Sequence, residues 1–340
     1  MEKQQKYPLG AEHYNLFEEI GSGATATIYR AVCIPTQETV AIKVLDFEKE
    51  KNHDFMDQPN LLKAHCSFVT DHYLWVVMPF MAAGSCQHIM KSAFPVGFEE
   101  AVIATILREV LKGLVNIHQH GDIHRDIKEG NILVDSRGAI KLCDFGASAS
   151  LFDAGSRLHG RKTFTGTPFW MAPEVMEQEK GYDFKADIWS FGITALELAH
   201  GHAPYSKFPP MKIIMKTIRD APPSLDHSER DKKFSKSFRK LIESCLQKKA
   251  HDRPSAQELL KHPFFKKARS SEYLTRTLLK ELPNMVIQKK LAEVERGELP
   301  RYRMSGWNFD VEAIKTQASQ LPDGQEEVER LLPSLISSSC

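Results

Sequence analysis

The chain has 340 residues, enough for one large domain with an extension. Its 45 lysines and arginines face 44 acidic residues, so the charge balance carries no nucleic-acid footprint. No apolar run is long enough to span a bilayer, and Met1-Glu2-Lys3-Gln4-Gln5-Lys6 lacks the apolar stretch of a signal peptide, so no membrane insertion is expected. Six scattered cysteines without a Cys-x-x-Cys pair favour free thiols in a reducing, cytoplasmic setting over disulfides or a zinc site.

Residues 14–81 read as strands: Ile28, Ala31 to Cys33, Val40 to Val44 and Leu74 to Met78 are short apolar or β-branched runs parted by turn residues. From Phe98 the period changes. Val102, Ile103, Ile106, Leu107, Val110, Leu111, Leu114 and Val115 recur at helical spacing, and Gly121 stands where a helix-ending glycine belongs. Asp187 to Leu198 predicts a second helix, apolar on all sides and therefore buried. Shorter helices follow as far as Phe265. Beyond it the composition turns polar, with a helix predicted over Met285 to Arg296 between Asn284 and Gly297. The expected organisation is an α+β domain over 14–265, with a small β-rich lobe (about 14–78) and a larger helical lobe (about 82–265). Residues 266–340 are read as a partly helical or disordered extension.

Three blocks sit on the loops between these elements. They are His124-Arg125-Asp126-Ile127-Lys128-Glu129-Gly130-Asn131, then Asp144-Phe145-Gly146, then Gly166-Thr167-Pro168-Phe169-Trp170-Met171-Ala172-Pro173-Glu174. In that order they resemble the catalytic loop, metal loop and activation-segment end of a protein kinase. Upstream, Ile20-Gly21-Ser22-Gly23-Ala24-Thr25-Ala26-Thr27-Ile28 is a glycine-rich loop with Ala26 at its third glycine position. Gly-Ser-Gly is an ordinary turn too, but here it precedes Val40-Ala41-Ile42-Lys43 at the spacing of a nucleotide-binding lobe. A lysine on an apolar strand needs an anionic partner, which the phosphates of ATP would supply; the alternative is an edge-strand lysine pointing to water.

The resemblance assigns roles. Asp126 would accept the proton of the substrate hydroxyl, and Lys128 would neutralise the γ-phosphate, a lysine similar to that of the serine/threonine class. Asn131 and Asp144 offer oxygen ligands suited to Mg²⁺, although either alone is commonly an Asx turn. Met78 would be the gatekeeper, and Pro79-Phe80-Met81 the hinge that meets adenine. Glu174 and Arg253 would pair to anchor the activation segment. His118, His120 and His124 are read as helix-end and packed residues, not a metal site. Cys143 would line the nucleotide pocket as a small apolar group, a reactive thiol being the alternative.

Gly166 to Glu174, with Asp187-Ile188-Trp189-Ser190-Phe191-Gly192, resembles the sterile-twenty-type serine/threonine kinases. Leu74 to Phe80 and Phe184 to Tyr205 are similar to their oxidative-stress-responsive (SPAK-like) branch and its plant blue-light-signalling relatives. That resemblance implies an upstream kinase acting on Thr163, with Arg125 holding the phosphate, and protein substrates. Trp307-Asn308-Phe309 resembles a tail that docks an armadillo-like scaffold, with Asn308 in place of an acidic residue; the alternative is an aromatic pair covering the domain's own surface.

One family element is short. Only fifteen residues separate Lys43 from Pro59, where the family carries a long helix whose glutamate pairs with the lysine. Glu48, Glu50, Asp54 and Asp57 lie there, but a helix of twelve residues spans only ~18 Å. A shortened or missing helix is therefore expected, with a mobile Lys43 and slowed transfer. Two functions follow: a kinase, or a pseudokinase scaffold binding ATP or partners with little catalysis.

Overall fold

The computed structural model describes residues 6–22, 26–46, 58–144, 149–150, 168–177, 181–225 and 233–280. The segment 47–57, with its expected short helix, and everything from 281 onward lie outside the described residues.

The small lobe is an antiparallel sheet of β1 (Tyr14–Ser22), β2 (Ala26–Cys33), β3 (Glu38–Asp46), β4 (Cys66–Thr70) and β5 (Tyr73–Pro79) in the order β1-β2-β3-β5-β4. Its sequence alternates as a half-buried sheet must. Val40 and Ile42 of β3 point into a core with Tyr7, Tyr14, Ala31, Cys33 and Val77. Ala41 and Lys43, one step out of phase, belong to the opposite face. Rings of Tyr14, Phe68 and Trp75 stack in succession along the core side, with centroids 5.8 Å apart at each step.

After the hinge come β6 (Gly84–Ser85) and α1 (Cys86–Ala93), capped by the Ser85 hydroxyl, and then α2 (Glu100–Gln119). Helix α2 has the predicted apolar periodicity, and Gly121 beyond it takes the left-handed φ of 78° that ends such a helix without strain. Next are β7 (Asp122–Ile123), β8 (Ile132–Val134), β9 (Ile140–Leu142) and β10 (Ala149–Ser150). The remaining helices are α3 (Pro173–Glu177), α4 (Lys185–His200), α5 (Pro210–Arg219), α6 (Lys236–Cys245), α7 (Ala256–Leu259) and α8 (Ser271–Leu274).

Helix α4 is the axis of the large lobe. Every residue from Ala186 to Ala199 is buried, including Asp187, Thr194 and Glu197. Gly192 makes this possible: a Cβ there would stand 2.8 Å from both Cys245 Cβ and Leu246 Cδ2. The large-lobe core also runs past Phe265, because Leu274 and Leu278 are fully buried in it. The packed lobe thus reaches Leu279.

From Gln58 to Leu62 the chain is bound to the large lobe. Leu142 N donates to Asn60 O and Leu62 N to Leu142 O, both at 2.8 Å. Asn60 Nδ2 donates to Glu109 Oε2 at 2.9 Å, and Lys141 Nζ to the Pro59 carbonyl at 2.7 Å. These bonds fix β9, the strand that delivers Asp144.

Candidate active site

The loop between β7 and β8 carries the first predicted block. Its backbone hangs from one buried carboxylate: Asp187 of α4 accepts from His124 N at 2.9 Å and from Arg125 N at 2.8 Å. The third partner of Asp187 is His118 Nε2, at 2.8 Å. Burial alone would raise the Asp187 pKa, but the hydrogen bonds from the His118 ring and the His124 backbone N–H outweigh it and hold it below the usual range. Arg125 sits at φ 69°, a conformation costly for a non-glycine residue that these bonds sustain. Its guanidinium donates to the Tyr182 hydroxyl at 3.3 Å.

His124 is fully buried. Its Nδ1 accepts from Asp126 N at 3.3 Å and its Nε2 lies 3.1 Å from the Cys143 carbonyl, so the proton of the neutral ring belongs on Nε2. Burial pushes its pKa down despite three nearby aspartates, which keeps it in that neutral form. One ring thus ties the loop of Asp126 to the residue before Asp144. His124 is thus a packed histidine with both ring nitrogens engaged.

The carboxylate of Asp126 is held in place. Its Oδ2 accepts from Lys128 Nζ at 2.7 Å and from Asn131 Nδ2 at 2.8 Å, while Asn131 Nδ2 also reaches the Asp126 carbonyl at 2.7 Å. Spending its NH₂ group this way leaves Asn131 its carbonyl oxygen as a ligand atom. Asp144 adopts φ 65° and places Oδ1 3.3 Å from Lys43 Nζ. A carboxylate from the other lobe thus faces Lys43. A hard oxygen pair, Asn131 and Asp144, suits Mg²⁺, which takes few protein ligands and completes its shell with water and phosphate.

The remaining predicted residues fall around this centre. Ala41 lies opposite Met78 in the sheet register, and Lys43 opposite Ile28 on one side and Val76 on the other. Met81 is buried, and Phe80 is partly covered beside it in the hinge. Ile20, Gly21 and Ser22 end β1, and Ala26, Thr27 and Ile28 begin β2. Gly23, Ala24, Thr25, Phe145, Gly146, Thr163, Gly166, Thr167 and the tail at Trp307 to Phe309 lie outside the described residues. Burial, with the charge of Asp144, pushes the Cys143 thiol up, which suits the apolar lining role rather than a reactive thiolate.

Glu174 and Arg253 form the expected pair as a two-pronged bridge of 2.6 and 2.8 Å. The guanidinium lies 5.1 Å from the Trp189 ring centroid and bonds the Gln247 and Lys185 carbonyls at 2.8 and 2.9 Å, so every side of it is occupied.

Other site-supporting residues escaped the sequence reading. Glu197 Oε2 accepts from Trp170 Nε1 at 3.0 Å and from Glu129 N at 3.2 Å, linking the activation-segment end to the catalytic loop. Burial first, and the neighbouring Glu129 second, raise the Glu197 pKa well above the usual carboxylate range. Gln87 of α1 donates to Glu129 Oε1 at 2.8 Å. No motif marks Glu197 or Gln87. The only signal was an acidic residue in a helix otherwise apolar all round, where a carboxylate needs a partner.

Comparison with known proteins agrees with this geometry. The protein kinase domain family matches residues 14–265. The chain is 50% identical over 292 residues to "Serine/threonine-protein kinase fray2" of Dictyostelium discoideum, covering 82% of this chain and 28% of that protein. It is 45% identical over 337 residues to "Germinal center kinase 3" of Caenorhabditis elegans, covering 91% and 56%. It is 40% identical over 280 residues to "Serine/threonine-protein kinase ppk11" of Schizosaccharomyces pombe, covering 79% and 85%. The chain thus spans about a quarter of the first relative and just over half of the second. With an α+β bilobal fold, the assembled loop and these relatives, the chain belongs to the protein kinase family, among its serine/threonine kinases.

Proposed function

We propose that this chain transfers the γ-phosphoryl group of ATP to serine or threonine hydroxyls of proteins. One observation carries the reading: Asp126, Lys128 and Asn131 hold one another within 2.8 Å while β9 delivers Asp144 beside Lys43. Asp126 takes the hydroxyl proton, and Lys128, now resting on it, swings to the γ-phosphate. Protein kinases use ATP with Mg²⁺, and Asn131 and Asp144 would hold that ion here; bound, it neutralises phosphate charge. Ala41, Met78, Phe80 and Met81 line the adenine side. Among the described residues no observation favours a scaffold without catalysis.

The finer reading places the chain in the oxidative-stress-responsive branch, supported by the motifs around Leu74 and Phe184. It includes an upstream kinase acting on Thr163 and an armadillo-like scaffold meeting Trp307-Asn308-Phe309. A cytoplasmic setting is supported by free thiols at Cys33, Cys66, Cys86, Cys143 and Cys245, and no described helix is long and apolar enough to cross a membrane. The test is transfer of labelled γ-phosphate to a basic protein substrate by the full chain and by Asp126→Asn. Transfer by the parent and not the variant supports the reading; equal labelling by both overturns it.

A further inference from the structure

The turn between α4 and α5 and the outer face of α5 carry a charged, aromatic surface that the phosphotransfer site does not use. Residues 204–220 hold four basic side chains, Lys207, Lys212, Lys216 and Arg219, against one acid, Asp220. Tyr205 sits at φ 63°, a left-handed conformation costly for a bulky residue, and Phe208 N closes the turn onto its carbonyl at 2.8 Å. The turn sets the Tyr205 and Phe208 rings 6.3 Å apart and leaves Phe208 36% exposed. Lys212 Nζ lies 4.6 Å from the Phe208 centroid; Lys216 Nζ lies 5.2 Å from the Tyr205 centroid and 5.8 Å from that of Phe208. Two ammonium groups thus share one ring, an i, i+4 arrangement of like charges that is destabilising by itself. Asp220 pairs with Lys216, and among the described residues no acid pairs with Lys207 or Lys212.

The inner face of α5 places this surface. Met211 and Ile214 are buried in the core that also holds Val175 and Met176 of α3, the helix that closes the activation segment. The outer face therefore lies beside the segment that a kinase presents to its protein substrate. We propose that Tyr205, Phe208, Lys212 and Lys216 form a docking surface for an acidic stretch of the protein substrate, separate from the serine or threonine that reacts. The proposal rests on the phosphotransferase reading and adds a substrate class to it. A carboxylate between the two ammonium groups relieves their repulsion, and the rings already restrain both lysines, which reduces the ordering that binding must supply. Lysines one helical turn apart are separated by about 6 Å along the axis, close to the spacing of about 6.6 Å between alternate residues of an extended chain. Acidic residues at alternate positions of an extended segment therefore meet successive turns of α5.

The test uses the full chain and two synthetic peptides. One joins a serine acceptor through a flexible Gly-Ser linker to the stretch Glu-Thr-Glu-Thr-Glu; the other carries glutamine in place of each glutamate. Binding of the fluorescein-labelled acidic stretch is read by anisotropy, and transfer by KM and kcat. The parent is expected to bind the acidic stretch and to show a KM about tenfold lower for the glutamate peptide than for its glutamine twin, at equal kcat. Lys212→Glu combined with Lys216→Glu is expected to abolish that difference, and high salt to shrink it. The same double variant should phosphorylate the glutamine peptide as the parent does, because neither lysine belongs to the site of transfer. Lys212→Ala with Lys216→Ala repeats each arm, and thermal unfolding checks that both double variants are folded. Equal KM for the two peptides in the parent, or an advantage of the glutamate peptide that survives both double variants, overturns the proposal while leaving the kinase reading intact. Capture by phosphatidylserine vesicles, lost in the variants and without binding of the acidic stretch, assigns the face to a membrane surface and overturns it too. Failure of the parent to label either peptide overturns the kinase reading and, with it, the substrate role of this face.

Discussion

The two sides of the cleft are held by opposite means. On the large-lobe side, one buried helix holds the catalytic loop through several independent bonds: Asp187 grips His124 and Arg125, Glu197 grips Glu129 and Trp170, and Thr194 bonds the Ile127 carbonyl. On the small-lobe side, the nucleotide lysine makes, among the described residues, one 3.3 Å contact with a residue of the other lobe. A group over-determined by buried bonds stays put when any single mobile neighbour is lost. A group with one partly exposed partner is set by whatever anion is nearest. Substitutions at the buried groups that hold the loop should therefore reach stability, whereas those at Lys43 should change ligand binding and leave the fold alone.

The largest effect is expected at the chemistry itself. Asp126→Asn should lower phosphoryl transfer by about 10²–10⁴-fold, since a positioned base typically contributes that much. The surrounding bonds should keep the loop in shape, so nucleotide binding and unfolding midpoint should match the parent; a lost binding signal would mean the loop is less firmly held than its bonds imply. Glu174→Ala comes next. It leaves the fully buried Arg253 guanidinium without its carboxylate, a change that typically costs about 3–5 kcal/mol in unfolding free energy. Urea unfolding measures it.

Asp187→Asn should cost about 3 kcal/mol at neutral pH, because the amide puts donors where two backbone N–H groups also donate. The sign of the pH dependence follows from the depressed pKa of Asp187. Its charged form stabilises the fold above the ordinary carboxylate range, and that share is lost as pH falls through the lower folded value. The gap between parent and variant should thus narrow in acid. Unfolding curves between neutral and acid pH check it, and a constant gap would show that the Asp187 charge is not what holds the loop.

Much of this was legible in the sequence, for a reason rooted in locality. Asp126, Lys128 and Asn131 lie within six consecutive residues, so a motif contains their whole geometry, and α2 announces itself by its apolar period. The missed features are long-range or carried by few residues. Nothing beside Lys43 in sequence points to Asp144, and nothing near Glu129 points to Glu197, 68 residues away. The end of the lobe was hidden by composition: Ser270, Ser271, Glu272 and Arg276 read as polar tail, yet Leu274 and Leu278, one helical turn apart, are enough to dock the segment. The Glu174–Arg253 bridge was anticipated only through the family resemblance, since periodicity says nothing about which charges meet in a core.

The smallest expected effect is the one that separates the two sides most sharply. Both members of the Lys43–Asp144 pair are partly exposed, so solvent screening limits their mutual stabilisation. Replacing the lysine also removes a flexible stem whose aliphatic part methionine reproduces in length and bulk. Lys43→Met should change unfolding free energy by less than about 1 kcal/mol, which in a domain of this size moves the midpoint by about 3 °C or less. Phosphoryl transfer should nevertheless fall steeply, because the phosphates lose the cation that places them. Calorimetry and a transfer assay on one preparation settle the pair of outcomes. A midpoint lowered by many degrees would make the ion pair a strut between the lobes, and the contrast between a bolted catalytic loop and a singly held lysine would collapse.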